Sequence, residues 1–198
     1  MYINHKTQKN ILALLLVIAA IAIMAKAPQK HEIQTNLLER STQQTHLAQS
    51  GAIQKKANET RLSARVVRVV DGDTITVNVN GDEEKVRFIG INTPESVDPR
   101  SPVQCFGLEA STRTKQLLDG KKIFLEADPS QTDRDKYNRL LRYVFLEDGT
   151  NINLELIQEG YAHEYTYDVP YRYQKQFKQA QKDASNAKIG LWADDACA

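Results

Sequence analysis

The chain has 198 residues, of which 41% are hydrophobic and 26% charged, and this composition excludes disorder throughout its length. The net charge of +1 conceals an asymmetry, because residues 1–63 carry +5 and residues 64–198 carry −4. A strongly basic body is therefore excluded, and any polyanion binding by residues 64–198 must come from locally placed Arg, Lys and aromatic side chains.

Residues 1–27 have the features of a targeting segment, since lysines precede an uninterrupted apolar run at 11–25. Fifteen apolar residues fit the core of a signal peptide better than a membrane span, which needs about 20. The small-x-small sequence at 25–27 offers a cleavage site, but Pro28 directly after it leaves retention as a signal anchor open. We expect an exported protein, secreted or periplasmic after cleavage, or membrane-anchored through this segment alone with its body outside the cytoplasm.

Residues 28–63 are rich in Gln, Thr, Asn, Lys and His and contain no aromatic residue. They can bury little apolar surface, so we interpret them as a polar linker, compatible with some helix, between the targeting segment and the body. Residues 64–198 are the predicted folded domain.

The body changes to β-branched runs that predict strands, and Asn80-Gly81 is a turn signal between the second and third of them. Apolar spacing of three and four residues predicts the helices, and the inward stripe of the last helix is predicted to run from Tyr173 to Ala187. In chain order the predicted elements are strands at 64–70, 74–79 and 85–91, a helix at 107–118, strands at 122–127 and 140–146, and helices at 151–159 and 171–186.

Five strands with a helix between the third and fourth are what a five-stranded Greek-key barrel of the OB type requires, with the later helices packed outside it. The predicted fold class is therefore strand-rich α+β, an OB-type barrel with three helices, preceded by the targeting segment and the polar linker. The pattern by itself leaves a sandwich open as the alternative.

Asp71-Gly72-Asp73-Thr74 joins the first two predicted strands. One interpretation is a tight turn, in which Gly72 supplies a positive φ and an Asp side chain caps its own backbone. The alternative is that the second carboxylate, that of Asp73, is directed into the barrel mouth as a ligand for a hard cation.

Arg87 lies in the third predicted strand, where alternation places it on the side of Ile89 and Ile91. An arginine there either extends its charged end to solvent or faces an anion. Pro94 then fixes the backbone and holds Glu95 near the end of the strand, although a solvated loop acid also explains Glu95 if it stands alone.

Arg139 follows Asp-Lys-Tyr-Asn at 135–138, just before the fifth predicted strand. Interleaved basic and aromatic side chains suit phosphate pairing with stacking, and a solvated turn explains them too. Together with Asp73, Arg87 and Glu95, Arg139 completes a set for phosphoryl transfer, which needs cation ligands, an acid–base group and fixed cationic donors. The body offers no Ser/His or Cys/His arrangement for acyl transfer.

The sequence contains two cysteines, Cys105 and Cys197. In an exported chain a disulfide between them could persist, and it would tie the C-terminal tail to the loop before the first helix of the body. Their spacing fits no metal motif, which argues against zinc. Whether the two thiols are joined stays open at this point.

Four motifs follow one another along the body: Asp-Gly-Asp-Thr at 71–74, a strand arginine at 87, Thr-Pro-Glu at 93–95 and Asp-Lys-Tyr-x-Arg at 135–139. In this order they resemble the staphylococcal nuclease family, and the resemblance covers residues 64–195. It implies an OB barrel, Ca²⁺ as cofactor, and hydrolysis of DNA and RNA to products that end in 3′-phosphate. We expect the protein to act as a monomer.

The resemblance implies roles for single residues. Asp73 matches a calcium-ligating Asp, and Thr93 matches a residue whose backbone carbonyl also coordinates calcium. Glu95 matches the acid that orients or activates water, and Arg87 and Arg139 match two phosphate-binding arginines.

Tyr137 matches a substrate-side tyrosine, and Tyr165 and Tyr167 resemble a tyrosine pair that lines a nucleotide pocket. The alternative for this pair is half-buried packing at the edge of a helix. Asn92 departs from the family, whose best-known members have a second calcium-ligating Asp there. An amide oxygen can still bind Ca²⁺, but the ligand shell loses one negative charge, so we expect binding looser by roughly tenfold or more in Kd.

Two other functions remain open from the sequence. Asn92 and the acidic body favour a catalytically weak or inactive nucleic-acid-binding OB module attached to the cell envelope. The joint presence of Asp73, Arg87, Glu95 and Arg139 favours the enzyme. An envelope-attached protein that binds some other ligand would not need two arginines and an acid at one barrel mouth.

Overall fold

The computed structural model describes residues 28–96 and 102–197, so the predicted targeting segment lies outside the described residues. Within the described ranges, no helix is both long and apolar enough to cross a membrane. The chain divides into two units between Ala52 and Ile53, and each unit is described by itself.

A fourth helix, α1 (Pro28–Glu59), occupies most of the predicted linker. Pro28 stands at its first position, where a missing N–H costs nothing, and the Gln, Lys, Glu, Leu and Ala that follow favour helix. Its side chains at 42–53 are all exposed, including Leu47 and Ile53, so this part of the helix buries no apolar face. The sequence interpretation allowed some helix in this segment, and the structure makes residues 28–59 helical throughout.

The described residues after α1 form seven strands, three α-helices and a 3₁₀ turn. In order these are β1 (Leu62–Asp71), β2 (Thr74–Val79), β3 (Asp82–Phe88), β4 (Ile91–Asn92), α2 (Gly107–Leu118), β5 (Lys122–Glu126), β6 (Leu140–Phe145), α3 (Ile152–Gln158), β7 (His163–Glu164), α4 (Gln174–Asn186) and the 3₁₀ turn Gly190–Trp192.

Five strands close into a barrel in the order β1-β2-β3-β6-β5, which confirms the predicted OB-type fold and removes the sandwich alternative. Neighbours are antiparallel except β3 and β6, which are parallel. The hairpin between β2 and β3 turns on Asn80 and Gly81, with φ of 54° and 107°. Because this turn takes only two residues, β3 begins at Asp82 and not at the predicted residue 85.

Alternation along the strands fills the barrel with apolar side chains. The helices cover its outside, where α2 contacts β1 and α3 contacts both β6 and α4. Residues exposed by 2% or less in the barrel are Val66, Ile75, Val77, Val86, Phe88, Ile123, Leu125, Tyr143 and Val144.

The predicted inward stripe of the last helix is partly wrong. Phe177, Ala180 and Ala184 are buried, and Tyr173, at the N-cap of α4, is half-buried against the core, but Ala187 is exposed at the C-cap. The periodic spacing holds and α4 ends at residue 186 as predicted, but it begins at Gln174 and not at residue 171.

A buried carboxylate joins the end of β5 to the chain that leads into α4. Asp128 Oδ2 accepts hydrogen bonds from the hydroxyl of Tyr143 at 2.6 Å and from the backbone N–H of Arg172 at 2.7 Å. Its Oδ1 accepts from the backbone and side chain of Ser130, each at 2.9 Å. Burial alone would raise the pKa of Asp128, but these donors outweigh it and the pKa is lowered.

A second buried polar side chain positions α3 against the barrel. Asn153 accepts a hydrogen bond from the Val144 N–H at 2.9 Å and donates one to the Ile89 carbonyl at 2.9 Å. Ile89 lies between β3 and β4, so this amide fixes the turn that carries the candidate site.

Candidate active site

Asp73 lies at the turn between β1 and β2, and its carboxylate is nearly buried, with 8% of the side chain exposed. Its Oδ1 accepts from the Thr74 hydroxyl at 3.0 Å, and its Oδ2 accepts from the Thr93 N–H at 3.1 Å. Arg87 Nη2 lies 3.0 Å from the same Oδ2. The carboxylate therefore connects β2, β3 and the residue directly after β4.

Glycine is needed at position 72 of this turn for a reason that differs from the predicted one. Its φ is outside the left-handed region, so the turn does not depend on a positive φ. A Cβ at Gly72 would instead lie 2.7 Å from Thr93 Oγ1 and 2.8 Å from Thr93 Cβ. Glycine is needed because the Thr93 side chain packs directly on this backbone.

Arg87 is held by backbone carbonyls as well as by Asp73. Its Nη1 donates to Phe88 O at 2.7 Å and to Ile91 O at 2.8 Å, and its Nη2 donates to Asn92 Oδ1 at 3.0 Å. Only 13% of the side chain is exposed. The guanidinium is thus fixed at the turn between β3 and β4 and does not extend freely into solvent.

The strand that was predicted to carry Arg87, Ile89 and Ile91 on one side ends before it reaches Ile89. Strand β3 ends at Phe88, and Gly90 has a φ of 77°, which interrupts the extended backbone. Val86 and Phe88, on either side of Arg87, point into the barrel core. The arginine therefore faces away from that core, toward Asp73.

Asn92 and Thr93 complete this group of oxygen atoms. The side chain of Asn92 is on the exposed second residue of β4, whereas Thr93 is buried and its hydroxyl has no hydrogen-bond partner among the described residues. Asp73 Oδ2 and Asn92 Oδ1 each lie 3.0 Å from the same nitrogen, Arg87 Nη2. In residues 28–96 and 102–197, no cluster of three or more His, Cys, Asp or Glu is arranged to hold a metal.

Arg139 reaches the same carboxylate from the start of β6. Its Nη1 lies 3.5 Å from the hydroxyl of Thr74, which in turn donates to Asp73. The carboxylate of Asp135 holds the other side of the guanidinium, with Nε and Nη2 each 2.7 Å from Oδ2. Asp135 had no role in the sequence interpretation beyond its place in the motif.

The ring of Tyr137 stands on the same turn and is 66% exposed. Arg139 Cζ lies 5.3 Å and Lys136 Nζ 5.1 Å from the ring centroid. An exposed aromatic face with two cations beside it can stack on a base while the cations meet a phosphate.

Glu95 follows Ile91 by four residues and Thr93 by two, and it is half-buried. Its backbone exchanges two hydrogen bonds with Gln104, both of 2.9 Å. The pKa of the neighbouring Asp71 is raised to about 6, mainly by burial. The negative charges of Asp73 and Glu95 raise this pKa further, and a hydrogen bond from Ser96 opposes the rise. Asp71 is thus a third acid near Asp73 to which the sequence interpretation gave no role.

Tyr165 and Tyr167 follow β7, and their ring centroids lie 6.3 Å apart. Both rings are exposed, Tyr167 by 77%. Strand β7 pairs with β4, placing His163 opposite Asn92, and the Tyr165 N–H donates to Gly90 O at 2.9 Å. The tyrosine pair is therefore joined through backbone hydrogen bonds to the strand that carries Asn92.

Cys105 and Cys197 form a disulfide, with their Cα atoms 5.7 Å apart. The bond joins the residue directly after Gln104 to the C-terminal segment. It lies outside the group that surrounds Asp73, and its link to the site runs through Gln104 and Glu95.

Comparison with known proteins identifies the class. Residues 85–194 match the family described as Staphylococcal nuclease homologue. Thermonuclease of Staphylococcus hyicus is 41% identical over 139 residues, which are 70% of this chain and 80% of that protein. Endonuclease YncB of Bacillus subtilis (strain 168) is 34% identical over 192 residues, 93% of this chain and 90% of that protein.

The barrel and these matches define a hydrolytic nuclease, an endonuclease that acts on nucleic acid. The chain belongs to the staphylococcal nuclease family, as the four motifs predict.

Proposed function

We propose that this nuclease depends on calcium, cleaves both DNA and RNA, and leaves 3′-phosphate ends. The observation that carries the proposal is the position of Asp73 between two guanidinium groups. Arg87 lies 3.0 Å from its Oδ2, and Arg139 lies 3.5 Å from the threonine hydroxyl that donates to its Oδ1. A nearly buried carboxylate with a cation on each side is a suitable centre for binding a phosphodiester and a metal together.

The oxygen atoms around Asp73 fit calcium. Asp73 offers a carboxylate oxygen and Asn92 an amide oxygen, and both atoms contact the same nitrogen of Arg87. In this proposal the buried Thr93 adds its backbone carbonyl. Such hard neutral and anionic oxygens are the ligands that Ca²⁺ prefers. A calcium ion held by these residues would polarise the phosphate and stabilise its developing negative charge.

Arg87 contacts Asp73 Oδ2 and Asn92 Oδ1, and these two residues would also help to hold the proposed metal. The two carbonyl acceptors at Phe88 and Ile91 keep the guanidinium in place independently of those oxygens. We propose that Arg87 binds a substrate phosphate from this fixed position. Because its rotamer is already ordered, little conformational entropy is lost when the phosphate binds.

Arg139 acts on the developing charge of the phosphoryl group in this proposal. Asp135 binds the Nε and Nη2 edge, so the Nη1 end is directed toward Thr74 and Asp73. Planar N–H donors held in this way suit the equatorial phosphate oxygens.

Glu95 is the proposed group that orients water and accepts its proton. Its backbone is fixed by Gln104, and its carboxylate lies close enough to Asp71 to raise that residue's pKa. The exposed rings of Tyr137, Tyr165 and Tyr167 are the proposed stacking surfaces for bases or sugars. Because residues 64–198 carry a charge of −4, these local contacts must supply the affinity that long-range attraction does not.

We propose that the protein is exported, through cleavage or anchoring of residues 1–27, and acts as a monomer. The proposal rests on the lysines and apolar run of that segment. Millimolar calcium outside the cytoplasm would also suit a ligand shell that has Asn92 in place of an Asp.

The competing function is a catalytically weak or inactive nucleic-acid-binding module, which Asn92 favours. To decide, the purified chain is incubated with single-stranded DNA and with RNA, first in millimolar Ca²⁺ and then with chelator. We expect both substrates to be cut only with calcium. The products should have 5′-hydroxyl groups that accept a label without prior dephosphorylation, and phosphatase should release phosphate from their 3′ ends. Tight binding without cleavage of either substrate would support the module instead.

A further inference from the structure

Gln104 holds the peptide of Glu95 from two sides. The Glu95 N–H donates to Gln104 Oε1 at 2.9 Å, and the Gln104 N–H donates to the Glu95 carbonyl at 2.9 Å. Both main-chain polar groups of Glu95 are therefore satisfied by one residue. A reciprocal pair of this kind fixes the direction in which the Glu95 side chain leaves the backbone.

The start of α2 packs against the same peptide. A Cβ on Gly107, the first residue of α2, would lie 2.7 Å from the Glu95 carbonyl oxygen and 3.2 Å from that of Pro94. The Gly107 N–H also donates to Gln104 O at 3.0 Å. Glycine is required at 107 because the helix begins in direct contact with the Glu95 backbone.

Two further contacts fix residues 104–107 at their other side. Phe106 has a φ of 67° and stacks its ring 5.5 Å from that of Tyr161. Cys105 is joined to Cys197, and both cysteines are exposed, so a reductant can reach them. The C-terminal segment is itself attached to the body, since the Leu191 N–H donates to Gly160 O at 2.9 Å.

We infer that Gln104 is a positioning residue for Glu95 and that the Cys105–Cys197 disulfide keeps Gln104 in place, which makes full activity dependent on oxidation. The inference rests on the proposed role of Glu95. A side chain displaced by about 1 Å can lose much of its effect on the chemical step, so a small movement of residues 104–107 is sufficient. Substrate affinity, which depends on the arginines and tyrosines, should not change.

Reduction has a defined chemistry here. A dithiol such as dithiothreitol attacks one sulfur of the bridge, then the mixed disulfide is resolved by its second thiol. The Cys105–Cys197 S–S bond is broken, both cysteines become free thiols, and the dithiol is oxidised to its cyclic disulfide. Residues 104–107 then lose their covalent tie to the C-terminal segment while the barrel keeps its hydrogen bonds.

The first experiment tests Gln104. Gln104→Ala removes the acceptor for the Glu95 N–H, and we expect kcat on single-stranded DNA to fall about tenfold while KM stays within about twofold. Gln104→Glu keeps an acceptor oxygen at the same length and should restore kcat to within about threefold of wild type. Gln116→Ala, an exposed glutamine on α2, is the matched control and should leave kcat unchanged.

Amide hydrogen exchange supplies a readout that does not depend on turnover. The Glu95 N–H should exchange faster in Gln104→Ala than in wild type, whereas barrel amides such as that of Val77 should be unaffected. This measurement also shows directly whether the variant is folded.

The second experiment tests the disulfide. Dithiothreitol should lower kcat of the wild type several-fold without changing KM, and reoxidation should restore it. The double variant Cys105→Ser with Cys197→Ser should have the lowered kcat in every condition and should not respond to the reductant. Unchanged kcat after complete reduction would show that the disulfide has no part in positioning.

Glu95→Gln, measured in parallel, separates this inference from the proposed function. If Glu95→Gln is inactive and Gln104→Ala has wild-type kcat and normal exchange at Glu95, the positioning inference is wrong and the role of Glu95 stands. If Glu95→Gln keeps full activity, the proposed role of Glu95 is wrong and the inference falls with it.

Discussion

Asp135 binds the guanidinium of Arg139 along one edge, with Nε and Nη2 both 2.7 Å from its Oδ2. The same carboxylate accepts the backbone N–H groups of Tyr137 and Arg139 at 2.9 and 3.0 Å. One acid therefore organises the turn and orients the arginine on it. The free Nη1 end of Arg139 is directed toward Asp73 as a result.

Replacing Arg139 by alanine should lower kcat by about 10³-fold, the effect expected of an arginine that stabilises transition-state charge. The measurement is steady-state cleavage of single-stranded DNA in saturating calcium. Arg113→Ala is the control, because Arg113 forms its ion pair with Glu159 at the C-cap of α3 and not with Asp73. A loss below tenfold in Arg139→Ala would restrict Arg139 to substrate positioning.

Asn92→Asp should tighten calcium binding by about tenfold or more, since it restores a negative charge to the proposed ligand shell. Isothermal titration of the protein with CaCl₂, without substrate, measures the change. Asn186→Asp adds the same charge at the exposed end of α4 and should leave the Kd for calcium unchanged. Equal affinities of Asn92→Asp and wild type would remove Asn92 from the proposed metal site.

Asp128→Asn should lower the free energy of unfolding at pH 7 by about 2 kcal/mol or more, because an amide nitrogen cannot accept the hydrogen bonds that a buried carboxylate oxygen accepts. The pKa of Asp128 is lowered in the folded state, so its contribution is fully present above the unfolded value of about 3.9. That contribution is lost as the pH falls through the folded pKa.

Urea unfolding of wild type and Asp128→Asn at pH 7 and again near pH 3 tests this sign. The difference between the two proteins should shrink at the lower pH. Asp119→Asn, at the exposed end of α2, is the control and should show little difference at pH 7. A constant difference at both pH values would contradict the assigned cause.

Arg61→Ala should destabilise the barrel unit by about 2 kcal/mol. The Arg61 guanidinium carbon lies 3.4 Å from the ring centroid of Phe145, and its Nε donates to Glu126 at 2.8 Å. Arg61→Lys should not restore stability, because an ammonium group cannot stack on the ring and donate from a planar edge at once. Thermal unfolding measures both variants, with exposed Arg40→Ala as the control.

Strand β1 begins at Leu62, two residues before the strand predicted at 64–70. Leu62 and Ser63 already pair with Leu125 and Phe124 of β5, so a chain that began at 64 would lose the first part of β1. The strand could not be extended from sequence, because Leu62 and Ser63 lack the β-branched texture that marks the residues after them.

Much of the barrel was predictable because local signals agree with the tertiary fold. Apolar residues at every second position of β2 and the Asn80-Gly81 turn that follows it place Thr74 opposite Arg87 in the register. The contacts that are not local were missed. No sequence pattern relates Tyr143 to Asp128 or Gln104 to Glu95, since these pairs form only once the strands and α2 are packed.

The sequence left some helix open in residues 28–63 but did not predict the full extent of α1. Its residues favour helix individually, but Leu47 and Ile53 do not form a buried face, and the apolar period that normally reveals a helix is absent. Gly72 was misinterpreted because glycine in a turn suggests a positive φ, whereas its cause is the close approach of Thr93, which is distant in sequence.

Strands β4 and β7 join Asn92 to the chain that leads directly into Tyr165. If Asn92 binds calcium and Tyr165 stacks on a base as proposed, the interval between the reacting phosphate and that base is set by two short paired strands and not by a loop. Such an interval would keep a fixed distance along the substrate between the stacked base and the bond that is cut. It would select which phosphodiester bond, counted from the stacked base, is cut.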